Sequence, residues 1–161
     1  MRTALLITVT ALAGLAARAA LATAPPATVS CDSAAMFTEP PKPGGDERVV
    51  FGRVAVPPRD LAQVAHVDGP WPYWRKAGLL VRAGTTGVVI SVPRVWRSRV
   101  AISWGDSGVV PALRVARCSS PPNEWNVYPG GFYLRRPACV PLTVRVGKRE
   151  KQVRFGVGRT C

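Results

Sequence analysis

The chain has 161 residues, with 22 Lys and Arg against 9 Asp and Glu, one His and four Cys, for a formal net charge of +13. That length accommodates one domain with a real core. A lone histidine and the absence of any Cys-x-x-Cys leave zinc little to bind, and no glycine loop followed by a lysine is present to cradle phosphate, so neither metal nor cofactor is expected.

The first segment, "MRTALLITVTALAGLAARAALATA", has a basic start at Arg2 and an apolar run over residues 4–17 that Arg18 closes. The run is too short to cross about 30 Å of hydrocarbon. It predicts a signal peptide over residues 1–22 and an exported mature chain, with membrane association only if the segment is retained uncleaved. Residues 23–47 contain "TAPPAT" and "EPPKPGGDE". They read as a flexible Pro/Gly-rich tether pinned at Cys31.

From residue 48 to residue 161 the pattern changes to short runs rich in Val and aromatics, separated by Gly and Pro. "RVVFGRVAV", "AGLLVRA", "GVVISV", "RVAISW", "VVPALRVARC", "GFYLRR", "CVPLTVRV" and "KQVRFGV" follow one another. Alternation is clearest at the end, where Val140, Leu142, Val144 and Val146 share one face and Val153, Phe155 and Val157 repeat the pattern. This predicts an all-β domain over residues 48–161: a single antiparallel β-sandwich of about eight strands, immunoglobulin-like or similar. Pro111 and Pro141 cannot donate to a ladder and are expected at an edge or a bulge. Helical periodicity is confined to at most one turn in "RDLAQVAH".

Cys31, Cys118, Cys139 and Cys161 are even in number and all lie beyond the leader, which predicts two disulfides in an oxidising compartment. Alternating strand direction puts Cys139 and Cys161 at one end of the domain and Cys118 at the other. That favours Cys31–Cys118 and Cys139–Cys161 among the three connectivities.

"GDSG" at residues 105–108 matches the stretch around a serine-protease nucleophile, and His66 supplies the only imidazole. Ser107 follows His66 too closely for a two-barrel protease, and Val-Val stands where that motif continues with Gly-Pro. Two strand-like runs flank Asp, Ser and Gly, the residues a tight reversal prefers, so the stretch reads as a turn and no catalytic residue is assigned.

Aromatic side chains in Pro- and Gly-rich segments are the remaining candidates: Trp71 and Tyr73 in "GPWPYW", and Trp125 and Tyr128 in "EWNVYPGGFY", with Asn123, Glu124 and Asn126 nearby. Exposed flat rings on a β-sandwich can stack on sugar faces. Arg94, Trp96, Arg97 and Arg99 in "VPRVWRSR" interleave a ring with three guanidinium groups, an arrangement able to clamp phosphate or carboxylate.

Four stretches, "WPYWRKAGLLVR", "SVPRVWRSRVAISWG", "GGFYLRRPACVPLTVRVG" and "VRFGVGRTC", resemble a group of small secreted proteins of high-GC actinobacteria. The resemblance covers most of residues 48–161. It implies export, paired cysteines and one compact domain, and it transfers no catalytic or binding residue.

The sequence therefore predicts a secreted, non-enzymatic binding module at the cell surface for cell-wall or environmental polysaccharide or for an anionic polymer. Its expected contacts are Trp71, Tyr73, Trp125, Tyr128, Arg94, Trp96, Arg97 and Arg99. The alternatives are a domain that binds or inhibits an extracellular protein and, more remotely, a serine hydrolase using Ser107 and His66. Charge without a reading element, in an exported chain, argues against specific nucleic-acid recognition.

Overall fold

A computed structural model describes residues 24–41, 47–119 and 124–161. The expected signal peptide lies outside the described residues. Among them are fifteen strands: β1 (Ala27–Val29), β2 (Met36–Thr38), β3 (Arg48–Val50), β4 (Val54–Val56), β5 (Asp60–Leu61), β6 (Ala65–His66), β7 (Tyr73–Lys76), β8 (Leu79–Arg82), β9 (Val88–Ser91), β10 (Val100–Trp104), β11 (Ala112–Val115), β12 (Trp125–Tyr128), β13 (Gly130–Leu134), β14 (Ala138–Val146) and β15 (Arg149–Val157).

They form three sheets. The first, sheet A, has the order β1-β11-β9-β14-β15-β5; sheet B runs β2-β12-β8-β4-β3; sheet C runs β10-β13-β7-β6. The all-β class is as expected, but the single eight-stranded antiparallel sandwich is not what forms. Two pairings, β1 with β11 and β15 with β5, are parallel. The count rises because apparent single runs are broken and because short strands carry too few residues to show alternation. "RVVFGRVAV" is a hairpin, β3 with β4, turned at Phe51 (φ 55°) and Gly52 (φ 67°) with Arg53 N–H donating to Val50 O at 3.1 Å. The connection is three residues, Phe51, Gly52 and Arg53; positive φ at two successive positions is normally marked by Asn-Gly, and Phe conceals it here. The segment "RDLAQVAH" forms β5 and β6 rather than a helical turn.

Part of the expected tether is also built into the domain. β1 pairs along Leu113–Val115 of β11, β2 pairs with β12, and Cys31 is bonded to Cys118. Ser30 N–H donates to the Asp106 carboxylate at 2.9 Å, tying the segment to the Gly105–Gly108 turn.

The β14–β15 hairpin, read from alternation, is present with nine paired rows. β14 is an interior strand, yet β9 meets it only from Thr143 to Val146, so Pro141 lies where one side of the strand has no ladder to feed. That is how a strand without a donor at that position stays inside a sheet.

One hydrophobic core joins the three sheets. Val140, Leu142, Val144, Phe155 and Ile90 come from sheet A, Ile102, Trp104, Phe132 and Leu134 from sheet C, and Val54, Leu79, Val81 and Tyr128 from sheet B. Phe132 stands between Trp104 (centroids 5.6 Å apart, edge-on) and Phe155 (5.1 Å), linking sheet C to sheet A. The Trp104 indole N–H donates to Ala77 O at 2.8 Å, so the ring is buried without stranding its donor. Gly131 lets β13 and β7 approach: a Cβ there would strike Arg75 O.

The disulfides are Cys31–Cys118 and Cys139–Cys161, with Cα separations of 5.4 and 5.2 Å, the pairing that strand order favoured. Two disulfides belong to an oxidising compartment. Among the described residues, no helix is long and apolar enough to cross a membrane.

Candidate functional site

A cleft of about 710 Å³ lies on the outer face of the β14–β15 hairpin. Its floor is the cross-strand row Pro141–Arg154 with Gln152 beside it; residues 93–99 form one wall, residues 136–139 another, and Arg159 closes the end. Four arginines, Arg99, Arg136, Arg154 and Arg159, line this space, and none of the described residues lining it is acidic. Pro93, Val95 and Pro137 supply apolar surface between them, above the buried Pro141.

Local structure explains the placement. The connection from β9 to β10 makes a single 3-10 turn, Arg94–Trp96, with Trp96 N–H donating to Pro93 O at 2.8 Å and Arg99 N–H to Trp96 O at 2.9 Å. The Arg99 guanidinium lies over the Trp96 ring at 4.3 Å and also donates to Val95 O at 3.4 Å. Trp96 is partly buried and packed against the core, so it serves as a platform holding Arg99 at the cleft. Arg48 steadies the floor: its guanidinium sits 4.6 Å over the Phe155 ring and donates to Arg154 O at 2.9 Å. Burial, with Arg59 nearby, lowers the pKa of Arg48 from the usual guanidinium value. The chain after β15 folds back over Gly156, where a Cβ would meet Arg159 O and Cys161 N, and the Cys139–Cys161 disulfide fastens that return. Glycine at 156 thereby permits Arg159 to sit at the cleft.

The sequence-derived candidates separate. Trp96 and Arg99 reach the cleft, whereas Arg97 donates to Val92 O at 3.1 Å and lines a neighbouring hollow. Arg94 is exposed at the start of the turn and lines neither of these spaces. Trp125 and Tyr128 are not loop residues with free faces; they belong to β12, 4% and 0% exposed, because that strand is covered on both sides. The Tyr128 hydroxyl lies 3.2 Å from Cys118 Sγ, and a disulfide sulfur has no proton, so the tyrosine donates. Burial raises the pKa of this phenol. Asn126 is buried with its amide donating to Val81 O at 3.3 Å, and Asn123 lies outside the described residues. Trp71 is half-buried under Arg135, 5.3 Å from its ring, and Tyr73 packs on His66 at 4.4 Å.

Ser107 and His66 are apart. The Ser107 hydroxyl accepts from Trp104 N–H at 3.2 Å and donates to Gly108 O at 2.9 Å, both within its own turn. His66 is on β6, separated from β10 by β13 and β7, on the order of 14 Å of sheet. Asp106 serves the turn as well: hydrogen bonds from Ser30, through its side chain and then its backbone N–H, hold the carboxyl below the usual range. The reversal predicted at residues 105–108 is present, with Ile102 and Val110 exchanging two 2.9 Å backbone bonds, but it delivers β10 to sheet C and β11 to sheet A.

Arg136, Arg154, Arg159 and Gln152 were not among the sequence candidates. Three arginines and one glutamine, each in a turn or on the polar face of a strand, carry no local signal that sets them apart from ordinary solvated side chains. No protein-family model, curated protein or solved structure matches this chain.

Proposed function

We propose that this is an exported, non-enzymatic binding module whose ligand is an anionic polymer of the cell envelope or its surroundings, held at the four-arginine cleft. The observation that carries the reading is the convergence of Arg99, Arg136, Arg154 and Arg159 on one concave space without a lining carboxylate among the described residues. Guanidinium groups crowded together repel one another, and a bound oxyanion relieves that repulsion while offering bidentate acceptors. The high net charge of the chain supports the same reading by drawing polyanions toward the surface. Stacking of neutral sugar on the expected aromatic contacts loses support, since Trp125 and Tyr128 are buried and Trp71 and Tyr73 already have neighbours. The non-enzymatic part is supported by the commitment of the Ser107 hydroxyl to its turn.

The test is retention of the oxidised protein on immobilised polygalacturonate, cellulose and chitin at low and high salt. Retention on the acidic polymer that disappears at high salt, and with Arg136→Gln plus Arg154→Gln, is expected. Equal retention on the neutral polymers, or none on any of them, would transfer the assignment to stacking or to a protein partner respectively.

A further inference from the structure

The outer face of sheet A carries more than the cleft. Along β14 and β15 its rows run Pro141–Arg154, Thr143–Gln152 and Arg145–Glu150. The first row and Gln152 line the cleft. Thr143, Arg145 and Glu150 line a second hollow of about 310 Å³, bounded by Arg97. The two spaces therefore meet at the Thr143–Gln152 row. The segment leading into β10 borders both, giving Arg99 to one and Arg97 to the other. From Cys139 to Arg145 this face is about 20 Å long at ~3.4 Å per residue.

A compact anion needs only the cleft, whereas a continuous face with guanidinium groups at both ends fits a chain. The apolar surfaces of Pro93 and Pro137, both half-buried, lie among those groups. Polyphosphate offers charge without an apolar face to cover them, while a pyranose chain bearing carboxylates offers both. Resting on the anion-binding role proposed above, we infer that the outer face of sheet A binds an acidic polysaccharide lengthwise. One carboxylate occupies the arginine cleft and another sits near Arg97 and Arg145. Glu150 faces the second hollow and makes it the weaker half.

The test is calorimetry of the oxidised protein with oligogalacturonates of two and six residues, and with polyphosphate of the same charge as the longer oligomer. Thermal melts of each variant establish that it is folded. The six-residue chain is expected to bind about tenfold tighter or more, because its second contact is intramolecular. Arg154→Gln weakens both lengths, Arg145→Gln weakens only the longer, and Glu150→Gln strengthens only the longer. Equal affinity for both lengths, with Arg154→Gln still weakening each, overturns the lengthwise groove and leaves the cleft standing. Indifference of both lengths to Arg154→Gln overturns the cleft and the groove with it. Tighter binding of polyphosphate overturns the polysaccharide assignment.

Discussion

Removing the Cys139–Cys161 disulfide by a double serine substitution separates fold from site. The bond closes a loop with a sequence separation of 22 residues. Loop-closure entropy for that length is about 11 cal/mol/K, which corresponds to about 3.4 kcal/mol of stability at 25 °C. The same relation applied to the 87-residue separation of Cys31 and Cys118 gives about 4.6 kcal/mol, so that bond should matter more by about 1 kcal/mol. The two differ in consequence as well as size. Cys161 anchors the return over Gly156 that carries Arg159, and Cys139 itself lines the cleft. Opening this bond frees one cleft arginine while leaving the core strands β14 and β15 paired. Urea denaturation with two-state fitting, followed by binding to polygalacturonate under native conditions, measures both effects. The expected result is a loss near 3 kcal/mol together with weakened binding. A variant losing under 1 kcal/mol, or one that binds the polymer as tightly as the parent, refutes the role given to the C-terminal return.

Three further outcomes are expected. Ser107→Ala leaves the buried Trp104 N–H without its acceptor and should cost about 1–3 kcal/mol in urea denaturation without altering polymer binding; a folded variant that instead loses a hydrolytic activity of the parent restores the catalytic reading. Phe132→Ala removes the ring between Trp104 and Phe155 and should cost about 3–5 kcal/mol, read as a lower denaturation midpoint, and an unchanged midpoint contradicts a core shared by sheets A and C. Asp106 has a depressed folded pKa, so its contribution is present above the unfolded value of 3.8 and is lost as pH falls below it toward the folded value. Thermal melts across that acid range should show a steeper fall for the parent than for Asp106→Asn, and parallel curves would exclude the Ser30 contact as a stabilising link.

Much of the fold was legible wherever a strand buries one face along a sufficient length. In β14 and β15, apolar residues recur at every second position, and the partner strand follows at once through a two-residue turn at Gly147 and Lys148. Period-two alternation is a direct consequence of pleating, so such a hairpin can be read without coordinates. The cysteine pairing was legible for a related reason: strand direction determines which end of the domain each thiol reaches. "GDSG" was legible as a turn because its residue types suit a reversal.

β12 defeated the same reasoning. "WNVY" lies between polar and glycine-rich segments, and with both faces covered it buries Trp125, Asn126 and Tyr128 alike, so no alternation marks it as a strand. The short strands β1, β2, β5 and β6 hold two or three residues each, fewer than one clear repeat, and exist because a neighbouring strand offers them unpaired backbone groups. The partition into three sheets, with two parallel pairings, follows from long-range contacts that no local pattern encodes.

By itself the sequence determined the properties that depend on residue type and near neighbours: a basic chain, β-strands of short length, an even set of cysteines and the turn at Ser107. Tertiary structure alone decided which arginines line one cleft. Arg99 follows a 3-10 turn, Arg136 a strand end, Arg154 faces out of β15 and Arg159 rides on a disulfide-held return. They are distant along the chain and meet at one cleft because the pleat of β14–β15 turns Pro141 and Arg154 to the face opposite the core.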